Sequence, residues 1–308
     1  MKKTVFHLLL LLGLQAQAAS YTFPGNLPAG CSGSNGTYTC GTLTLAASDT
    51  VTIAAPKPAI ITFTGAFTSG NGTSINSAGS ASDLTLIVTG AFTLGSAAIL
   101  NANVINLAAF TIGDGTLVGG FVAASTGSGV ITVGANSKVG GYISTDAGAI
   151  NIGDGSSVGG NLTTTAGVVT LTKNTRVGGS VSTVAGGITI GDGSTICSDV
   201  MTTGAGVVVL STNITVGGDV SSTAGAVTVG VASTISGNII VTGGGVVTLT
   251  SVLVGSNIST TSGAITLTPL GTNQLDGGVA AITLAQYNTS NLIANGTAWY
   301  RGGGLSAT

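Results

Sequence analysis

Between Gly140 and Val254 the chain repeats one pattern of 19 residues, and that period constrains the fold more than any other feature. The copies read GGYISTDAGAINIGDGSSV at 140–158, GGNLTTTAGVVTLTKNTRV at 159–177 and GGSVSTVAGGITIGDGSTI at 178–196. A looser copy, CSDVMTTGAGVVVLSTNITV, fills 197–216 before GGDVSSTAGAVTVGVASTI restores the pattern at 217–235. Short periods of this kind mark stacked architectures, in which no single unit buries its apolar residues alone and neighbouring units do so together.

Each unit offers three apolar sites separated by turn chemistry. The first follows the Gly-Gly pair (Ile143, Leu162, Val181, Val200, Val220, Ile239, Ile258). The second is an alternating pair such as Ile150/Ile152, Val169/Leu171 and Ile188/Ile190, and the third closes the unit (Val158, Val177, Ile196, Val216, Ile235, Val254). Mostly β-branched residues with period two predict short strands. Gly-Gly and Ala-Gly are expected to give the corners backbone freedom. Three strands and three corners make one coil with a perimeter of roughly 60 Å, stacked on the next at about 4.8 Å. The predicted fold is all-β: a single-stranded parallel β-helix (β-solenoid), about 19 residues per three-strand coil, right-handed by the general preference of parallel crossovers. Ten to twelve coils would give a rod roughly 50–60 Å long.

The ends read differently. Residues 1–18 have the form of a secretory leader: Lys2 and Lys3, an apolar run from Val5 to Leu14, and Ala16-Gln17-Ala18 as a small-residue cleavage site. That run is too short to span a bilayer, and no later one reaches the roughly 18 residues a spanning helix needs. Aromatic girdles of a membrane barrel are absent as well. Cleavage would leave Ala19 first and remove His7, the sole histidine. The remaining Lys57, Lys138, Lys173, Arg176 and Arg301 face nine Asp and no Glu, so five minus nine gives a net charge of −4. Such a chain lacks the basic footprint of a nucleic-acid binder.

Residues 19–56 are expected to form an N-terminal cap, in which Cys31 and Cys40 close a small disulfide loop, with two unpaired thiols as the alternative. The solenoid is assigned to 57–268. Within it Phe67, Phe92 and Phe110 align on the Ile150 position as one internal file, and the wide spacing from Phe67 to Phe92 places an outward loop in 69–82. After Thr268 the period fails, and 269–308 read as a C-terminal cap or docking segment. Its Tyr287, Trp299, Tyr300 and Arg301 are candidate assembly contacts.

Candidate chemistry is sparse. Gly-Asp-Gly at 113–115, 153–155 and 191–193 invites a calcium reading, but Asp114, Asp154 and Asp192 fall on every second coil. Carboxylates roughly 10 Å apart cannot share an ion that holds oxygens at about 2.4 Å, so they read as turn residues. The outward position between the paired apolar residues holds Thr93, Thr111, Thr132, Asn151, Thr170, Thr189, Val209, Thr228, Thr248 and Thr266. A regular hydroxyl file is what an ice-binding face requires, although Thr is also an ordinary outward strand residue and a second file wavers. Glycan-cleaving β-helices need clustered carboxylates, whereas Lys138, Lys173, Arg176, Asp199 and Asp219 read as dispersed. No metal or cofactor is expected. Cys197, odd beside the other two, either crosslinks subunits or tucks against a corner.

The Val-Gly-Gly corners and short Val/Ile strands of 119–268 resemble bactofilins, cytoplasmic polymer-forming β-solenoids. The opening FPGNLPAGCSGSNGTYTCGTLTLAASDTVTI at 23–53 is similar to segments of exported pilus-accessory and adhesin-like proteins of Gram-negative bacteria. The first likeness extends to architecture and not to compartment; with the export leader and the lack of clustered carboxylates, the expectation is a non-enzymatic structural protein at the surface of a bacterium or outside it. Its expected role is a subunit of a fibre or matrix with adhesive character. Its partners would be further copies of itself, head to tail, and other cell-surface components. The alternatives are an ice- or carbohydrate-binding solenoid and a β-helix polysaccharide-processing enzyme.

Overall fold

The computed structural model describes residues 17–54, 56–125 and 129–268, together with the strand Leu292–Ala294. It is a parallel β-solenoid with three sheets of 12, 13 and 13 strands running its length. One coil shows the plan: Ile143–Thr145, Ile150–Ile152 and Ser157–Val158 each lie on a different sheet. These are called below the Gly-Gly, alternating and short sheets. In the regular region Ile143 pairs with Leu162, and Ile150 with Val169, both one period of 19 away. The register absorbs a 20-residue coil at Val200 and Val220 without losing alignment.

All three predicted apolar sites point inward, and their side chains form the core. The Phe file is present: Phe67, Phe92 and Phe110 stack at 4.8 and 4.6 Å and are continued by Ile131 and Ile150. Phe63 adds an edge-on contact to Phe67 at 5.0 Å, and Phe23 and Tyr38 meet likewise at 5.0 Å. The wider coils at this end thus enclose rings where the later ones enclose Val and Ile. Strands Phe67–Ser69 and Ser74–Ile75 stay on their sheets, so the extra residues expected in 69–82 are confined to 76–83. That excursion ends in the 3-10 turn Ala81–Asp83, tied down by a Lys57–Asp83 ion pair of 2.8 Å.

The corners depart from the expectation of backbone freedom at Gly-Gly. Left-handed φ falls elsewhere, in a file that includes Ala97, Gly115, Asn136, Gly155, Asn174, Gly193, Asn213 and Ala232. Asn and Gly tolerate that conformation, which explains why they share this position. Glycine at the other corners answers a different need, close approach. A Cβ on Gly167 would strike the carbonyl oxygen of Gly148 one coil below, and one on Gly186 would strike that of Gly167.

Two interior files of hydroxyls satisfy the backbone at the bends. Thr164 Oγ1 donates to Gly148 O (3.1 Å) and accepts the Gly167 N–H (3.0 Å). Thr145, Thr183 and Ser222 repeat the arrangement. At the corner before the short sheet, Ser137 Oγ accepts the Thr116 N–H, Ser156 Oγ the Ser137 N–H and Ser194 Oγ the Thr175 N–H. These groups are closed to water, so each hydrogen bond removes a penalty that an unpaired amide would carry.

At the N-terminal end, Cys31–Ser34 pairs antiparallel with Thr37–Cys40, covering the edge of the Gly-Gly sheet. The first complete coil lies inside the segment assigned to the cap: Thr37–Cys40, Leu43–Leu45 and Thr50–Ile53 already stack on the coil that follows. Ser20–Phe23 adds a parallel strand above Thr50–Ile53. At the other end Leu292–Ala294 continues the alternating sheet, in register with Ile265–Leu267. No helix among the described residues is long and apolar enough to cross a membrane.

Candidate functional site

The outer surface of the alternating sheet is the most regular feature of the molecule. Its central file is the predicted threonine row, in register from strand to strand: Thr93 beside Thr111, Thr111 beside Thr132, Thr170 beside Thr189, Thr248 beside Thr266. The row starts earlier than the sequence reading had it, with Thr44 beside Thr68 and Thr68 beside Thr93. Leu43/Leu45 and Phe67 flank those two residues as Ile and Val flank the others, a signal obscured by the longer coils.

On one side of the threonines runs a file of small apolar residues, and Val130, Val168, Val207 and Val246 in it are exposed. Its carbonyls accept the inward residues' N–H groups one coil back, as Val168 O does from Ile150 and Val207 O from Ile188. On the other side the file is mostly glycine (Gly95, Gly113, Gly134, Gly153, Gly191, Gly230) with Thr172 and Ser211. Among the described residues no Asp, Lys or Arg stands in any of the three files. The face is therefore a row of small apolar side chains, a row made mostly of hydroxyls and a glycine-rich file, all uncharged.

Charge sits at the rim and on other faces. Asp154, Lys173 and Asp192 occupy consecutive coils one residue beyond the glycine file. The Lys173 and Thr212 N–H groups donate to Asp154 Oδ1 (2.9 Å) and Asp192 Oδ1 (3.1 Å). The Thr212 N–H and hydroxyl, with the Lys173 charge adding, hold the Asp192 carboxyl below its ordinary range. Asp114 bonds the Ala135 N–H in the same way. The three Gly-Asp-Gly aspartates thus lie on alternate coils, each occupied by the backbone of the next.

Asp199 and Asp219, read from sequence as dispersed, stand on consecutive coils because their separation of 20 is one turn. The Asp219 N–H donates to Asp199 Oδ1 at 2.9 Å, and Asn238 bonds Asp219 Oδ1 through its N–H and its side-chain amide. Among the described residues no group of three or more His, Cys, Asp or Glu is placed to hold a metal. Cys31 and Cys40 form the disulfide. Cys197 is free and exposed rather than tucked against its corner. Phe121 and Tyr142 stack at 4.7 Å on the outside of the Gly-Gly corner. Tyr287, Trp299, Tyr300 and Arg301 lie outside the described residues, as do residues 1–16 of the leader.

No family model matches the chain, and neither does any curated protein or solved structure.

Proposed function

We propose that the chain is an exported, non-enzymatic structural protein, a subunit of an extracellular or cell-surface fibre or matrix. In this reading copies join laterally through the outer face of the alternating sheet as well as end to end. The observation that carries it is the absence of charge from that face among the described residues, with Val168 and Val207 each 45% exposed in it. Twelve rungs at about 4.8 Å and a width of about 15 Å give roughly 800 Å² per copy, the contribution of one partner to a standard interface. The exposed valines beside the threonine row add apolar surface of the kind that marks contact sites.

The order of the files favours a particular pairing. Rotation of one copy by a half turn about an axis parallel to the stack brings its Ala/Val file over the partner's glycine-rich file, with threonine facing threonine. Such a contact is self-complementary and closes as a dimer, whereas stacking at the ends continues without closing and lengthens a fibre. The resemblance to polymer-forming solenoids supports the same reading, as does the Cys31–Cys40 bridge, which fits an oxidising compartment.

Sedimentation and electron microscopy of the exported protein test it. Paired or extended assemblies are expected, and Val168→Lys/Val207→Lys should reduce lateral pairs to single rods with unchanged circular dichroism. Single short rods of the wild type at every concentration defeat the proposal. The threonine file favours a second reading, ice binding, for which purified protein would slow ice growth and Thr170→Leu/Thr189→Leu would abolish the effect.

A further inference from the structure

In the corner file before the short sheet one rule recurs, at Ser137, Ser156, Ser194 and Ser233: the side-chain oxygen in one coil receives the N–H of the same position in the coil before it. Ser156 serves Ser137, and Ser194 serves Thr175, both at 3.1 Å. Its first member is Asp49. Asp49 Oδ1 accepts the Ala19 N–H at 2.6 Å, and Ser20–Phe23 then runs beside Thr50–Ile53. Oδ2 accepts the Ala46 N–H at 2.8 Å. Asp49 is only 3% exposed, and every other buried side chain of this corner file is a neutral hydroxyl or an aliphatic group. No Lys or Arg among the described residues forms an ion pair with it; the ion pair found among them is Lys57–Asp83.

A carboxylate buried against two amides lacks the counter-charge that normally makes such burial tolerable. The acid stands at the one rung whose partner is Ala19, the residue that becomes first if the leader is cut after Ala18. We infer that Ala18–Ala19 is the processing site and that Asp49 is the receptor for the new N-terminus. Hydrolysis consumes one water at that peptide bond. Ala18 departs with a carboxylate on the leader, and the nitrogen of Ala19 gains hydrogen to become an ammonium. The agent is a leader-cleaving peptidase of the export route. An amide–carboxylate hydrogen bond is thereby replaced by a part-buried ion pair in the same place, and the first strand is fastened by the event that releases the chain. Ala18 is exposed and the regular structure begins at Ser20, so the cut falls where the fold starts.

This inference rests on the reading of residues 1–18 as a leader, and the test separates the two. Exported full-length chain is first sequenced from its N-terminus. A chain that keeps its leader overturns the export reading and this inference with it; a start other than Ala19 overturns the inference alone. Melting temperatures are then compared in a cycle: Ala19-start chain and a chain carrying Gly-Ser before Ala19, each with Asp49 or with Asp49→Asn. Asp49→Ser, which follows the rule of the file, serves as a second variant should the amide fail to fold. The expected result is a loss in the Ala19-start background at least twice that in the extended one. Equal losses in the two backgrounds overturn the ion pair while leaving export intact.

Discussion

The hydroxyl of Thr164 and the carbonyl of Gly148 lie one coil apart, joined by a hydrogen bond of 3.1 Å with no access to water. The same hydroxyl takes the Gly167 N–H, so one side chain settles two backbone groups at a bend. Thr164→Val keeps the shape and removes both bonds. Stranding a buried donor and acceptor costs about 1–3 kcal/mol each. Urea melts should show a loss of that order, and Thr164→Ser a much smaller one.

Glycine substitutions should divide by geometry. Gly167→Ala places a methyl against the Gly148 carbonyl and should destabilise by about 1–3 kcal/mol or more. Gly187 lies in the Ala/Val file, where an added Cβ has its nearest neighbour at 3.2 Å, the Val207 carbonyl oxygen. Gly187→Ala, at a position where other coils carry Ala or Val and where the Val207 carbonyl need give by only a few tenths of an ångström, should therefore cost much less than Gly167→Ala. Equal losses for the two would mean that the close approach at Gly167 is not the reason for its glycine.

Phe92 lies between Phe67 and Phe110 in the internal stack. Truncation to Ala removes contacts on both sides in a part of the solenoid built around rings, with an expected cost of about 3–5 kcal/mol. Phe92→Leu should recover most of it. Thermal melts of the two variants check the ordering.

The Cys31–Cys40 bridge closes a separation of nine residues in the hairpin that covers one sheet edge. For a loop of that length the chain-entropy account gives about 2–3 kcal/mol. Because coils in a solenoid open from the ends, reduction should act locally. Hydrogen exchange should quicken at Tyr38 and Ile61 while Ile150 and Val169 stay protected.

Acid should unfold the protein only at low pH. Lys57 and then the Ser80 N–H hold the Asp83 carboxyl below its ordinary 3.8, and the Thr212 groups do the same for Asp192. A folded-state pKa below the unfolded one gives stability that is complete above the unfolded value and lost as pH falls through the folded one. No histidine lies among the described residues. The melting temperature should thus be level from about pH 8 to 5 and fall below about 4. Asp192→Asn should flatten part of that acid limb.

The strand positions and the Phe file were legible because inward β-branched residues recur with period two inside a fixed repeat. What determines the corners was less so. Thr164 and Thr170 look alike in sequence, yet one is buried at a bend and the other faces out from a sheet. Only the recurrent Ser/Thr three residues before a glycine, as in Thr164 with Gly167, marks the first kind. The reversal that makes Cys31–Ser34 antiparallel depends on the end of the stack, which no internal repeat encodes. Asp199 and Asp219 looked scattered because their 20-residue spacing falls in the one loose copy of the repeat. Asp49 carried no signal until its place in a file of hydroxyls was known.

The stacking of strands in the three sheets directs their hydrogen bonds along the length of the rod. Tension applied between the two ends therefore meets the coils one after another, not all at once, and each must unzip before the next bears load. Every released coil of 19 residues adds a nearly constant length of slack, roughly 60 Å after its own thickness is subtracted. Anchored at a surface that is pulled and let go, such a rod would lengthen in equal steps at a similar force and dissipate work at each one. It would rewind from whatever intact coils remained as its template.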